Sequence, residues 1–287
     1  MKIIGISDIH GILQYTKLET HCDVLVIAGD FSPLKLQERV SEKGGKNTMK
    51  EWIVNIFIPW LKELPAEHVI FIPGNHDFVT ELPWFKEWIN GELYKAECHD
   101  RIHYLCNETI KLYDTTFWGC PYSDLPGWAW YSGGDPKPYT PPEDVDVMIV
   151  HAAPNYMGLG ETINRWGHLA NYGSVYLTTA MEHTNHLPRL LLCGHIHGGQ
   201  HLPKVFNQQY KTLESYGPNI KGVHNVQKTR ECVMVNVSIK GEDYSEFYEP
   251  ADIEYQTTPD GTSTSISVAH YQYEHLKDIA TYIVHRS

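Results

Sequence analysis

The chain has 287 residues, 42% hydrophobic and 20% charged, enough to bury a substantial core in one or two domains and unlike a disordered tail or a small stapled scaffold. Its 23 Lys and Arg against 35 Asp and Glu give a formal charge of -12, which disfavours a tight, sequence-independent grip on duplex DNA. Seventeen histidines stand out and make a metal site the first thing to look for.

Taken in chain order, apolar runs rich in β-branched residues predict strands over 2–7, 24–28, 68–72, 116–119, 145–150, 189–193 and 231–237, each closed by polar or glycine punctuation. Helical spacing predicts helices over 49–61, 84–90 and 175–183. Strands alternating with helices in the first half imply an α/β fold with helices packed on a sheet, and the strand-rich second half implies a second sheet layer. Residues 41–48 (SEKGGKNT) read as an exposed loop and 121–142 as a long irregular one. After Tyr248 the chain reads as a hairpin around Asp260-Gly261 followed by a terminal helix over 271–284.

Cys22, Cys98, Cys106, Cys120, Cys193 and Cys232 form no C-x-x-C pair and read as reduced thiols of a cytoplasmic protein. The N-terminal MKIIGISDIHG reaches Asp8 too soon for the apolar segment of a signal peptide. The apolar stretch 53–61, broken by Asn55 and Pro59, falls far short of the ~20 residues that span a bilayer. No membrane partner is expected, and no heptad or long apolar edge strand commits the chain to an oligomeric state.

Five polar clusters follow directly on five of the predicted strands: Asp8-Ile9-His10, Gly29-Asp30, Gly74-Asn75-His76-Asp77, His151 and Gly194-His195-Ile196-His197. Residues two apart in extended chain face the same side, so Asp8 with His10, and His195 with His197, can each converge on one point. Taken singly, each cluster is compatible with a turn or a satisfied polar residue. Five in sequence, with carboxylate, imidazole and amide donors all at strand ends, point instead to one metal-binding crevice.

In these five blocks the sequence resembles the calcineurin-like metallophosphoesterase superfamily, whose pattern D-x-H, GD, GNH[DE], a lone H and GHxH is matched in full between residue 1 and about residue 238. The stretches AGDFS, WGCPYSDLPGWAWY, HAAP, GSVYL and PRLLLCGHIHGG look most like the small single-domain MPPED (239AB-type) branch and its bacterial and phage relatives. One departure is HAAP, where that branch often has H-x-P-P; His195 and His197, one of which some members lack, are both present.

The resemblance implies a two-layer β-sandwich of mixed sheets flanked by helices over 1–248, with 249–287 as a C-terminal extension packed on the same domain. It also implies two divalent metal ions drawn from Mn, Fe, Zn, Co and Ni, with Mn the one expected in assays. Asp8, His10, Asp30 and His197 would hold the first ion, and Asp30, Asn75, His151 and His195 the second, with Asp30 bridging. The implied reaction is in-line attack of a metal-bridging hydroxide on phosphorus. His76 would hydrogen-bond a phosphoryl oxygen or protonate the leaving oxygen, and Asp77 would either orient its imidazole or act only in the turn. Asn75, His76, Asn155 and Trp128 are the candidate substrate contacts, Trp128 by stacking on a base, with Trp130 and Tyr131 as neighbours able to do the same. The expected activity is phosphodiester hydrolysis of cyclic or other small nucleotides. The alternatives are a protein or small-molecule phosphomonoesterase, a single-strand nuclease and a catalytically silent binding module.

Overall fold

Along the central strands, successive side chains point to opposite sides, and here both sides are apolar. Such a strand must be covered on both faces. The computed structural model meets this demand with two stacked sheets, each backed by helix. It describes all residues except 16–17, 19, 38–44, 157–158, 164–165, 198–202, 210–211, 216–222, 227–229, 242–246, 260–262, 273–275 and 286–287. The elements are β1 (Lys2–Ile6), β2 (Cys22–Ala28), α1 (Leu34–Gln37), α2 (Gly45–Trp52), α3 (Ile58–Glu63), β3 (Ala66–Ile72), α4 (Phe85–Lys95), β4 (Ile102–Tyr104), β5 (Glu108–Leu112), β6 (Thr115–Cys120) and β7 (Val147–Val150). There follow β8 (Glu161–Ile163), β9 (Leu169–Asn171), α5 (Val175–His183), β10 (Leu190–Cys193), β11 (Lys204–Asn207), β12 (Thr212–Ser215), β13 (Val223–Val226), β14 (Glu231–Asn236), β15 (Ala251–Thr257), β16 (Ser263–Gln272) and β17 (Leu276–His285).

The first sheet has the order β13-β17-β16-β15-β1-β2-β3-β4, the second β12-β11-β14-β10-β7-β6-β5, and β8 pairs with β9 alone. Both large sheets are mixed: β1, β2, β3 and β4 run parallel while β15 joins β1 antiparallel, and β14, β10, β7 and β6 run parallel between antiparallel outer strands. Between the sheets Ile3, Val24, Val26, Ile70 and Ile72 meet Val147, Ile149, Leu190, Leu192 and Val235. The opposite face of the first sheet, with Ile4, Leu25, Ile27 and Phe71, is covered by Met49, Ile53, Phe57, Leu61, Phe85 and Ile89 from the helices. Leu177 and Met181 of α5 cover Met148, Leu191 and Met234 on the far side of the second.

All seven predicted strands are present, as are the helices around 49–61, 84–90 and 175–183. The first of these is one continuous helix interrupted by a π turn over Ile53–Phe57, where the Ile58 N–H reaches the Ile53 carbonyl. Pro59 has no N–H to send back to Asn55, which accounts for the irregular turn at this point. Two expectations need correction. Residues 45–48, taken with the exposed loop, are the first turn of α2, while 41–44 lie outside the described residues. The terminal helix over 271–284 is instead the end of β16 and the strand β17, which pair antiparallel from Ser263↔His285 to Gln272↔Leu276. The run Ile279, Thr281, Tyr282, Ile283, Val284 favours strand, and β16 offers an open edge to receive it. The hairpin before it is formed by β15 and β16, its tip at Asp260-Gly261 lying outside the described residues. No helix among the described residues is long and apolar enough to cross a membrane.

Candidate metal centre

Parallel pairing puts the carboxyl ends of β1, β2 and β3 side by side in one sheet and those of β7 and β10 side by side in the other. At this end the sheets are joined: Ser7 bridges to Ser238, the Ile239 N–H reaches the Ser7 carbonyl at 3.2 Å, and the Val237 N–H reaches that of Cys193 at 2.7 Å. The five polar clusters are therefore brought together across the gap. The turn after β1 is zipped to the turn after β2 by Asp8 N–H to Gly29 O (3.1 Å) and His10 N–H to Asp30 O (2.9 Å).

This aim requires unusual backbone. Asp8, His10, Asp30 and His195 all have positive φ, between 45° and 69°. A non-glycine residue there costs about 1–2 kcal/mol, and a concentration of such residues in one place marks a site where side-chain direction matters. Glycine is required beside them. A Cβ on Gly29 (φ 97°) would overlap the His151 ring, one on Gly74 the Asp30 carboxylate, and one on Gly194 the Ser7 hydroxyl.

The donor atoms fall into two groups: Asp8, His10 and His197 form one, and Asp8, Asp30 and His151 the other, with the atoms of each within 4.8 Å of one another and all five residues buried. His10 Nε2 faces His197 Nε2 at 3.4 Å, and His197 Nε2 lies 3.5 Å from Asp8 Oδ1. His151 Nε2 lies 2.8 Å from Asn75 Oδ1 and 3.4 Å from Asp30 Oδ1. The other oxygen, Asp30 Oδ2, turns to His10 Nε2 at 3.9 Å and to His76 Nε2 at 4.0 Å, so one carboxylate addresses both imidazole groups. The expected ligand His195 lies next to them, its ring centroid 5.1 Å from that of His151 and its N–H donating to the Asp8 carboxylate at 3.0 Å.

These residues fit divalent cations. Ligand atoms about 2.0–2.2 Å from one ion sit roughly 3.0–3.5 Å from one another, and the pairs His10–His197 (3.4 Å), His197–Asp8 (3.5 Å) and His151–Asp30 (3.4 Å) have this spacing. Two wholly buried carboxylates, whose ion-pair partners among the described residues are all histidines, also need positive charge from elsewhere. Burial alone would raise the Asp8 and Asp30 carboxyls, but hydrogen bonds and charge from His197 and His151 hold both well below the usual range. His151 donates from Nδ1 to the Ala28 carbonyl at 2.9 Å, which turns Nε2 toward the oxygens of Asp30 and Asn75. Burial opposes a charge on this ring, yet the Asp30 carboxylate raises it to about 9. Burial and neighbouring imidazoles leave His10 and His195 at about 4, neutral and ready to ligate.

His76 sits at the rim, its N–H held by Asp30 Oδ1 at 2.8 Å and its side chain 19% exposed. Burial lowers its imidazole below the ordinary value. Asp77 faces the other way. Its carboxylate accepts N–H bonds from Gly74 (2.8 Å), Ser32 (3.0 Å) and Phe31 (3.3 Å) and from the Gln37 amide (3.2 Å), making it a brace between two turns. Burial, then the charge of Asp30, raises it to about 6. Trp128 meets the His76 ring at 4.4 Å, and Trp130 is pinned to Thr80 and Glu81. Tyr131 is exposed in the same loop, and Asn155 gives its N–H to Ser174 O and Thr178 Oγ1 at the head of α5.

Sequence reasoning missed Gln37, whose side chain also accepts the Phe78 N–H at 3.1 Å, and Asn236, whose amide holds the Ile196 and Leu159 carbonyls. The one available signal for Asn236 is a polar side chain closing the apolar strand ECVMVN. Of the histidines not assigned a role, His183 donates from Nδ1 to the Thr179 carbonyl of its own helix at 2.8 Å and His186 pairs with Glu143, while His201 lies outside the described residues.

A helix-flanked double sheet with buried carboxylates set between imidazole groups at its strand ends has the donor set and placement of a divalent-metal centre. The chain belongs to the calcineurin-like phosphoesterase family, whose model matches residues 1–199. It is similar to metallophosphoesterase domain-containing protein 1 of Homo sapiens and of Mus musculus, 26% identical to each over 218 residues, which cover 69% of this chain and 61% of the relative. The chain thus spans less than two thirds of the length of these relatives.

Proposed function

We propose that the chain hydrolyses phosphodiester bonds of small nucleotides, cyclic ones included, with two divalent ions. In this reading Asp8, His10, Asp30 and His197 hold one ion and Asp30, Asn75, His151 and His195 the other, Mn²⁺ being the ion of choice in assays. The observation that carries it is the division of the Asp30 carboxylate, Oδ1 toward His151 and Oδ2 toward His10. When bound, such ions acidify water and polarise a phosphoryl oxygen. Asp8 and Asp30 contribute two negative charges, which leaves the centre cationic toward phosphate although the chain as a whole is acidic. His76, at the rim, hydrogen-bonds a phosphoryl oxygen or delivers a proton to the leaving oxygen from its ring.

The preference for diesters is supported by the arginines. Arg101 holds the carbonyls of Leu61, Lys62 and Ala66, Arg189 reaches Thr257 and Thr264, and Arg230 reaches Gln208. None of these described arginines is free to clamp the dianion of a terminal phosphate. The test is turnover of bis-p-nitrophenyl phosphate against p-nitrophenyl phosphate with added Mn²⁺. Faster diester turnover is expected, and turnover of the monoester alone would replace this reading with a phosphomonoesterase. His76→Ala is expected to keep its metal and lose about 10²- to 10⁴-fold in rate. Full activity in that variant would remove His76 from the reaction.

A further inference from the structure

A histidine that must present its ring to a substrate is commonly oriented by a carboxylate or carbonyl on its second nitrogen. The neighbouring carboxylate, Asp77, is committed to Gly74, Phe31, Ser32 and Gln37. Asp30 Oδ2 lies 4.0 Å from His76 Nε2, beyond hydrogen-bond reach, and the ring is otherwise flanked by aromatic groups: His10, buried, edge-on at 5.0 Å on the inner side, and Trp128, 39% exposed, at 4.4 Å and 61° on the outer side. We infer that Trp128 is a positioning residue, the outer wall that keeps the His76 imidazole turned into the metal cleft. This rests on the role proposed above for His76.

The wall is fastened to the loop that carries its charge. The Ala129 N–H donates to the Asn75 carbonyl at 3.1 Å, the Trp130 N–H to Glu81 Oε1 at 2.8 Å and the Trp130 indole to Thr80 Oγ1 at 2.7 Å. Trp128 and Phe78 stack at 5.8 Å and 29°. Trp130 has positive φ (55°), and the loop is closed behind it by the Ser123 N–H donating to the Trp130 carbonyl and the Ser132 N–H to the Ser123 carbonyl, both at 2.9 Å. The indole and the imidazole are thereby tied to one another through the backbone of residues 75–81. The indole is also engaged by two protein rings, which favours a positioning role over a platform for a substrate base.

The test is a double-mutant cycle on the manganese-loaded enzyme with bis-p-nitrophenyl phosphate, reading kcat, KM and bound manganese separately. Trp128→Leu is expected to lower kcat by about ten- to a hundredfold, the scale of a misplaced reacting group, with KM and manganese content unchanged. Trp128→Phe, which restores a ring, is expected to recover most of that loss. In a His76→Ala background Trp128→Leu is expected to add nothing, because its effect passes through the missing imidazole. A rise in KM with kcat intact would overturn the inference and make Trp128 a substrate platform. An undiminished loss in the His76→Ala background would overturn it while the role of His76 stood. Unchanged kcat in His76→Ala alone would remove that role, and the inference with it.

Discussion

The Asp77 carboxylate accepts the Ser32 N–H at 3.0 Å and so ties the turn that presents Asp30 to the turn that presents Asn75 and His76. Replacing it with alanine leaves the N–H groups of Gly74, Phe31 and Ser32 without that acceptor in a buried place. At about 1–3 kcal/mol for each buried donor left unmade, Asp77→Ala is expected to lose roughly 3 kcal/mol or more in urea unfolding. A loss below about 1 kcal/mol would contradict the bracing role, because even one such donor costs that much.

Gly194 gives a sharper test of how the site is assembled. A Cβ there would overlap Ser7 Oγ and lie 2.8 Å from Asp8 Oδ2, so Gly194→Ala must push the Asp8 turn away from the GHIH turn. Metal retention measured by elemental analysis is expected to fall in this variant while far-ultraviolet circular dichroism stays that of the parent. Full metal content would mean that the Asp8 turn can yield without consequence.

Away from the site, His68 Nδ1 meets His103 Nε2 at 3.2 Å across β3 and β4. Burial, then the charge of His68, lowers His103 from 6.5 to about 4. The unfolded chain therefore binds the proton first: this contribution to stability is complete above about pH 6.5 and is lost as pH falls toward 4. The drop in melting temperature between pH 7 and pH 5 is expected to be smaller in His103→Gln than in the parent. Equal drops would remove His103 from the acid response.

Just before β10, Arg189 spans the two sheets, reaching Thr264 of β16 and Thr257 of β15 while paired with Asp146 at 3.7 Å. Both partners are nearly buried, with side chains 8% and 11% exposed. Arg189→Met takes the cation from the buried Asp146, which keeps the Thr116 N–H at 3.0 Å, and is expected to cost about 3 kcal/mol in urea unfolding. The Asp146→Asn/Arg189→Met pair should recover part of this loss; no recovery would show that the aspartate is not what suffers.

The fold and the site were legible in the sequence to different depths. Strands such as MIV and LLLC could be read because burial on both faces leaves an unbroken apolar run, and their polar ends were visible as breaks in it. Asp8, Asp30, His151 and His197 stood at those breaks, and parallel pairing within each sheet, with the Ser7–Ser238 junction between the sheets, brings them together. Gln37 was hidden because its role depends on a turn 40 residues away in sequence. The direction of Asp77 was equally invisible, since spacing cannot say whether a side chain faces its neighbour or the next turn. The C-terminal segment was misread as helix because its apolar spacing suits either period, and the open edge of β16 decided between them.

The most direct measurement is the metal content of the purified chain, prepared without chelator, alongside diester hydrolysis before and after chelation. The two-ion account expects about two divalent ions per chain, hydrolysis abolished by chelator and restored by Mn²⁺, and loss of both ions and activity in Asp30→Asn. One ion or none with hydrolysis intact, or an Asp30→Asn variant that keeps both ions, would contradict it.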